Sequence, residues 1–365
     1  MVEKMKGILI YGATGYSGSR IVEQTVKNGL RPVIAGRNHE SINSMAHRMG
    51  LKSEVFDLKD SKAVGELVSQ YSLVLNCAGP FLSTFEPLVE ACLQGETHYL
   101  DITGEVTVYE TLAAANDKAV DAGVMLMPGV GFDMVPGDCL ALMLKNRLPD
   151  ASELEISYSF GGTLTRGSIR SALASFSPDS QVRRDGKLVH IHEPKIKRVD
   201  FEGENGVGEV DCLATTFGDI SIAWKTTKIP NITSYLHYTK SFLELASITS
   251  PEMIDNLPEG PTAEELENDR ALIMGEVKNS RGDYHKALLI TPQVYAATFP
   301  IAADIVRKVS EGCWKPGFQT PALVFGADYI LDFPNVDLRW KKLHRLWNWN
   351  EDNPQNMELN QQNVD

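Results

Sequence analysis

Cysteine is scarce and scattered: five residues, at 77, 92, 139, 212 and 313, with no C-x-x-C pair among them. That spacing excludes a disulfide framework and a cysteine zinc site, and it suits a reducing cytoplasm. Long apolar runs are missing too, since no window approaches the roughly 20 residues a membrane-spanning helix needs. The opening "MVEKMKGILIYG" passes into a strand without the apolar region of a signal peptide. There is no basic excess: 35 Lys and Arg stand against 48 Asp and Glu, for a net charge of -13. Such a surface repels nucleic-acid phosphates. The expectation is a cytoplasmic protein with no nucleic-acid partner and no transmembrane segment.

What is present is ordinary globular material, 365 residues with 43% hydrophobic content, enough for about two domains. Up to residue 128, short apolar runs (7–11, 32–35, 53–56, 73–76, 98–100, 124–127) alternate with helical stretches (17–28, 39–48, 61–70, 85–94, 107–121). Strands alternating with crossover-length helices predict a doubly wound parallel α/β sheet of Rossmann type. After residue 150 the pattern changes. "LEISYSF" alternates, "TRGSIRSALASF" reads as a helix, and "RRDGKL" and "ENGVGEV" mark hairpin turns. A second, α+β domain with a mixed or antiparallel sheet is expected there. Residues 251–271 are acidic and proline-containing and read as an exposed excursion, and the polar end from about 352 reads as frayed.

The stretch "ILIYGATGYSGSR" places Gly12, Gly15 and Gly18 between a strand and a helix, which is the context of a dinucleotide fingerprint. One glycine permits the turn, another lets a pyrophosphate approach the backbone, and the last allows close helix–strand packing. Thr14, Tyr16 and Ser17 complete that loop, at the helix N-terminus where free N–H groups meet phosphates. A plain tight turn would use the same glycines; the strand–helix repeats that follow favour the dinucleotide. An NAD site carries a carboxylate at the end of the second strand. Here "PVIAGRN" ends in Arg37 and Asn38 with no acid, and arginine can fork onto a 2′-phosphate, so NADP(H) is the expected cofactor. Asp57 and Leu58 after the third strand, and Cys77, Ala78, Gly79 and Pro80 after the fourth, fall where the remainder of the cofactor would lie. Cys77, with no neighbouring histidine, reads as a small buried residue.

The motifs "YGATGYSG", "AGRN", "NCAGPF", "YLDITGE" and "PGVGFDMVPGD" occur in an order that resembles the saccharopine dehydrogenase-like oxidoreductases. Their short forms, which include trans-acting enoyl reductases, are the nearest match. The resemblance continues through "GGTLTRGSIRSAL", "VRRDGKLV" and "PGFQTPALVFGADYIL" to about residue 333. It implies an NADP-dependent Rossmann domain (1–148) and an α+β substrate and dimerisation domain (149–312). A segment returning to the first domain (313–335) and a C-terminal helix with a polar tail (336–365) would follow. It also implies a homodimer and hydride transfer to or from a C=N or C=C bond of a small-molecule or carrier-bound substrate. The alternatives are an enoyl reductase acting in trans on a carrier-bound acyl chain and, in another class, a non-enzymatic NADP(H)-binding regulator. None of the eleven tyrosines is followed four residues later by lysine, so the catalytic pair of short-chain dehydrogenases is absent.

For the chemistry, Asp133 lies in the glycine-rich "PGVGFDMVPGD", either as a proton relay or as a loop carboxylate bonding local amides. Asp101 and Glu105 end the fifth strand, where burial would make either a general acid and capping would make either structural. Asp138 falls where a helix cap belongs. Phe132 and the helix start holding Arg166, Ser168 and Arg170 are expected to face the substrate, the arginines as an anion site or as a solvated helix end. Arg183 and Arg184 read as ordinary hairpin residues. His190 and His192 lack a third ligand, so no metal is expected. As a helix, "LRWKKLHRLWNW" would group Trp340, Leu343 and Trp347 on one face, packing on this chain or a twin.

Overall fold

Four mostly buried residues in "GILIY" make Gly7–Tyr11 (β1) the centre of a sheet. The computed structural model describes residues 7–174, 179–204, 207–239 and 251–341. In it β1 is joined by Val33–Gly36 (β2), Ser53–Val55 (β3), Tyr71–Asn76 (β4), His98–Asp101 (β5) and Met125–Met127 (β6). All pairings are parallel, in the order β6-β5-β4-β1-β2-β3. The crossover helices carry local stop and start signals. Asn38 caps the helix His39–Met49 by accepting the Ser41 N–H at 2.9 Å, and Gly50 ends it at φ +64°.

The second sheet comprises Glu153–Ser159 (β7), Ser180–Arg184 (β8), Lys187–Ile191 (β9), Ile196–Glu204 (β10), Val207–Ala214 (β11), Asn231–His237 (β12), Arg270–Lys278 (β13) and Tyr284–Pro292 (β14). Gly317–Phe318 (β15) then returns to extend the first sheet beside β6, and Asp337–Trp340 (β16) pairs antiparallel with β14. The second sheet runs β10-β11-β12-β7-β13-β14-β16, with only β7 and β12 parallel among its described pairings. It curls until its edges meet. Arg339 of β16 pairs with Glu204 of β10, and Lys341 pairs with Glu202, so side-chain ion pairs bridge the two edges. Inside the curl lies a small core of Val199, Phe201, Tyr235, Leu272, Met274 and Leu288.

A larger core runs continuously from Ile10 and Leu75 of the first sheet to Tyr158 and Ile273 of the second. The helix Val135–Arg147 lies between them with its first nine residues almost all buried, and a side chain at Gly275 would meet Leu144 at 2.6 Å. A helix apolar all round is what a position between two sheets requires.

Three expectations need correction. Trp340 lies in strand β16, not in a helix from 338; Leu338 and Trp340 fit a two-residue period as well as a helical one, and the open edge of β14 decides. Leu343 and Trp347 fall outside the described residues. Arg183 is no ordinary hairpin residue: it is 3% exposed and pairs with Glu110 of the first domain at 2.5 Å. Its Nε donates to the Ile220 carbonyl and its Nη1 to that of Gly186 at 2.8 Å. Removing one partner of a buried pair strands the other, at about 3–5 kcal/mol when both are buried. Because Glu110 stays 41% exposed, Arg183→Ala is expected to lose about 1–2 kcal/mol in urea unfolding.

Third, the acidic segment 251–268 is not a free excursion. Its helices Pro251–Asp255 and Ala263–Asn268 strap the molecule, with Ile254 only 1% exposed against Ile169. Glu264 and Glu267 face solvent, whereas Ile254 docks and Glu265 accepts the Thr163 N–H and hydroxyl at 2.9 and 2.8 Å.

Candidate active site

The C-terminal ends of the first sheet open into a cavity of about 1000 Å³, roofed by the helix Arg166–Ala174 and the strap. The glycine loop forms one end, and its three glycines have three separate reasons. Gly12 sits at φ +78°, and a side chain there would meet the Ala78 backbone at 2.7 Å. One at Gly18 would strike the Gly12 carbonyl at 2.2 Å, so Gly18 lets helix and strand touch. Gly15 would meet nothing nearer than the Gly12 carbonyl, at 3.5 Å. It has no side chain to cap the helix Tyr16–Lys27, whose first-turn N–H groups at Tyr16, Ser17 and Gly18 lack intrahelical partners. This is a cradle of a shape and charge that fits a pyrophosphate.

Thr14, Gly15, Tyr16 and Ser17 line the cavity, as do Arg37, Asn38 and Asp57. Arg37 is exposed beyond β2 and pairs with no described carboxylate. The Asn38 side chain is committed to its cap, and one Asp57 oxygen accepts the Lys59 N–H at 3.1 Å. Leu58 packs against the core beneath, and neither it nor Pro80 reaches the cavity, whereas Cys77, Ala78 and Gly79 do. Burial pushes the Cys77 thiol well above its ordinary pKa, which leaves it inert.

Buried side chains hold the loops in place. Asn76 accepts the Ala78 N–H at 3.0 Å. Glu105 accepts the Phe81 and Leu82 N–H groups on its two oxygens, at 2.9 and 2.8 Å. Asp101 is fully buried and does not line the cavity. It accepts the N–H groups of Thr103 at 3.0 Å and Gly129 at 2.9 Å, tying β5 to the loop after β6. Burial raises its pKa to about 7 despite those bonds. Asp101 and Glu105 therefore position backbone; Asp101 stays out of the cavity, whereas Glu105 lines it with both oxygens engaged. Asp138 is likewise no solvent-facing cap: it accepts the Thr226 hydroxyl and, at 2.8 Å, the Ala322 N–H.

Asp133 differs from all of these. It lines the cavity half-buried, with no hydrogen bond to any described residue, and burial raises its pKa to about 6. The local amides are taken elsewhere, since Phe132 N–H donates to Thr298 Oγ1 at 3.0 Å and Gly129 N–H to Asp101. Phe132, 1% exposed, packs edge-on against Tyr158 and Phe160 at the cavity wall.

The expected anion site is changed. Arg170 is paired with Asp255 of the strap, and Arg166 Nε donates to the Leu257 carbonyl at 2.7 Å. Both arginines hold the roof shut. Ser168 faces Tyr295, 2.8 Å between hydroxyls, and Tyr295 accepts the Thr165 N–H at 2.9 Å. Tyr16 joins the two ends: its hydroxyl donates to the Pro261 carbonyl of the strap at 2.8 Å, and Arg20 stacks on its ring at 3.6 Å. Tyr295, Thr298 and Asp219 escaped sequence reading. Asp219, which accepts the Tyr158 hydroxyl at 2.9 Å, is raised to about 7 by burial.

His192 pairs with Asp179 at 3.0 Å and His190 sits beside Gln181, so the two imidazoles share no centre. No described helix is long and apolar enough to cross a membrane.

Comparison with known proteins agrees with this geometry. The saccharopine dehydrogenase NADP binding domain family matches residues 8–127. A saccharopine dehydrogenase-like oxidoreductase of Bos taurus is 28% identical over 222 residues, covering 52% of each chain. A putative trans-acting enoyl reductase of Mycobacterium tuberculosis is 28% identical over 193 residues, 48% of this chain and 46% of the relative. The chain thus spans about half the length of the curated relatives it matches. In fold it is similar to yeast (Saccharomyces cerevisiae) saccharopine dehydrogenase, with a TM-score of 0.62 at 12% identity, covering 93% of this chain and all of the other. Residues 8–127 are an NADP-binding domain, and the chain is similar to saccharopine dehydrogenase-like oxidoreductases.

Proposed function

We propose that the protein is an NADP(H)-dependent oxidoreductase that transfers a hydride to or from a C=N or C=C bond. One observation carries this beyond nucleotide binding: Asp133, an unpartnered carboxyl with its pKa raised to about 6, opens into the cavity that holds the glycine loop. A regulator that only binds the nucleotide has no use for such a group, whereas a hydride transfer needs a proton delivered or removed. Bound NADPH supplies the hydride.

The chain's residues divide the remaining tasks. First-turn N–H groups at Tyr16 to Gly18 hold the pyrophosphate, and Gly15 leaves room for it. Arg37 forks onto the 2′-phosphate, with Asn38 and Asp57 beside the adenosine. The Cys77–Gly79 backbone, pinned by Asn76 and Glu105, lines the nicotinamide end. Asp133 exchanges a proton with the substrate atom next to the carbon that gains or loses the hydride. Phe132, Phe160 and the roof keep water out. Free cysteines suit the cytoplasm, which we propose as its location.

The test uses NADPH and NADH titrations on wild type and Arg37→Ala. A hydrogen bond to a charged group is worth about 1.5–3 kcal/mol, or about 10- to 100-fold in affinity. Arg37→Ala is expected to lose that much for NADPH and almost nothing for NADH. Equal losses for both would remove Arg37 from the site.

A further inference from the structure

Beyond the glycine loop the cavity walls are Phe81, Ile102, Phe132, Phe160, Leu164 and Phe217. Their rings interlock, with Phe132 and Phe160 centred 5.8 Å apart and Phe217 4.7 Å from Tyr158. The balance of charge at this end is negative. Arg170 is neutralised by Asp255, and Arg166 holds the Leu257 carbonyl with Glu259 beside it on the cavity wall. Glu105 and Asp133 add two more carboxyls to the same lining. A dicarboxylate or an amino diacid would therefore enter against three acidic side chains with no unengaged pair of cations to receive it.

One polar feature remains. The Ser168 hydroxyl lies 2.8 Å from that of Tyr295 and 3.0 Å from that of Thr165. Three hydroxyl protons serve three contacts, of which Tyr295 to Thr165 is the longest at 3.5 Å, so the Tyr295 proton is the one an oxygen in the cavity that all three residues line can draw away. Such a donor suits a single carbonyl oxygen.

We propose, building on the oxidoreductase reading above, that the substrate is a neutral, apolar carbonyl compound. Its hydrocarbon part lies on Phe132, Phe160 and Leu164, and its oxygen accepts a hydrogen bond from the Ser168–Tyr295 hydroxyl pair. The strap takes part in this selection, because Asp255 neutralises Arg170 and the Leu257 carbonyl engages Arg166 Nε, leaving the Arg166 charge outnumbered by the three carboxyls.

The experiment is calorimetric titration of the NADPH-saturated protein with two probes, octanamide and glutarate. Each methylene buried from water is worth about fourfold in affinity, so octanamide is expected to bind at least about tenfold more tightly than glutarate. Leu164→Asp places a charge on a half-buried wall position and is expected to weaken octanamide about tenfold while NADPH affinity is kept. Ser168→Ala is expected to weaken it a few-fold. Glutarate binding as tightly as octanamide, no octanamide binding up to about 10 mM, or an unchanged octanamide affinity in Leu164→Asp would each overturn the proposal. The preceding NADPH titration separates the two readings. Normal NADPH binding with the wrong probe preference sinks only the substrate class, whereas absent NADPH binding sinks both.

Discussion

Asp133→Asn is expected to lower kcat by about 10²- to 10⁴-fold while NADPH affinity stays at the wild-type value. The expectation follows from what the carboxyl lacks. The neighbouring carboxyls Asp101, Glu105 and Asp138 accept backbone N–H groups, and Asp219 accepts two hydroxyls. Asp133 accepts none from the described residues, so its removal leaves no structural partner stranded, and asparagine fills the same space. A raised pKa of about 6 also fixes the direction of the pH dependence. In the reductive direction the acid form gives the proton, so the rate should fall as pH rises through about 6, and that limb should vanish in the variant. Stability offers a readout that needs no substrate. An acid whose pKa is raised on folding favours the folded state when protonated, and that contribution fades as pH climbs from about 4 to about 6. Above pH 7 the wild type holds a buried charge there and the variant does not. Thermal unfolding at pH 8 should therefore find Asp133→Asn at least as stable as wild type. An inactive but markedly destabilised variant would mark Asp133 as structural.

Where the sequence was legible, local rules sufficed. The strands β1 to β6 of the first sheet fall within two residues of the apolar runs, because parallel strands covered on both faces are mostly apolar. The glycine loop was equally plain, since each glycine answers to atoms within the same strand–loop–helix unit or the adjoining strand's loop. The misreadings share a different cause, which is distance along the chain. Arg183 looks like a hairpin arginine until Glu110, 73 residues earlier, is brought against it. The strap looks like an acidic loop until Tyr16, 245 residues away, donates its hydroxyl proton to the Pro261 carbonyl. Arg166 and Arg170 line the cavity from the helix Arg166–Ala174, but their partners Leu257 and Asp255 come from that same strap. Asp101 and Asp133 are indistinguishable by residue type and by position at strand ends. Their hydrogen bonds and their access to the cavity separate them.

Gly15→Val should abolish measurable NADPH binding, a loss of at least about 100-fold, in a protein that still folds. The three loop glycines give different outcomes for the same substitution. At Gly12 a side chain would lie 2.7 Å from the Ala78 backbone in a left-handed conformation, and at Gly18 it would lie 2.2 Å from the Gly12 carbonyl. Backbone cannot move aside cheaply at either place, so those variants should unfold the loop together with its binding. Gly15 adopts φ -70° and ψ 166°, a conformation open to valine, and its Cβ would make only an ordinary contact at 3.5 Å. The rest of the isopropyl group projects into the cavity, over the unpaired N–H groups of Tyr16 and Ser17. There it takes the space of the pyrophosphate and shields those donors from it. The excluded contacts are charge-assisted hydrogen bonds, each worth about 1.5–3 kcal/mol, so losing two reaches at least about 3 kcal/mol, or about 100-fold. Circular dichroism and thermal unfolding should match wild type, while NADPH fluorescence should show no saturable change. A folded Gly15→Val protein that binds NADPH within a few-fold of wild type would show that the pyrophosphate does not rest on this loop, and the positions assigned to Arg37 and Asp133 relative to it would fall as well.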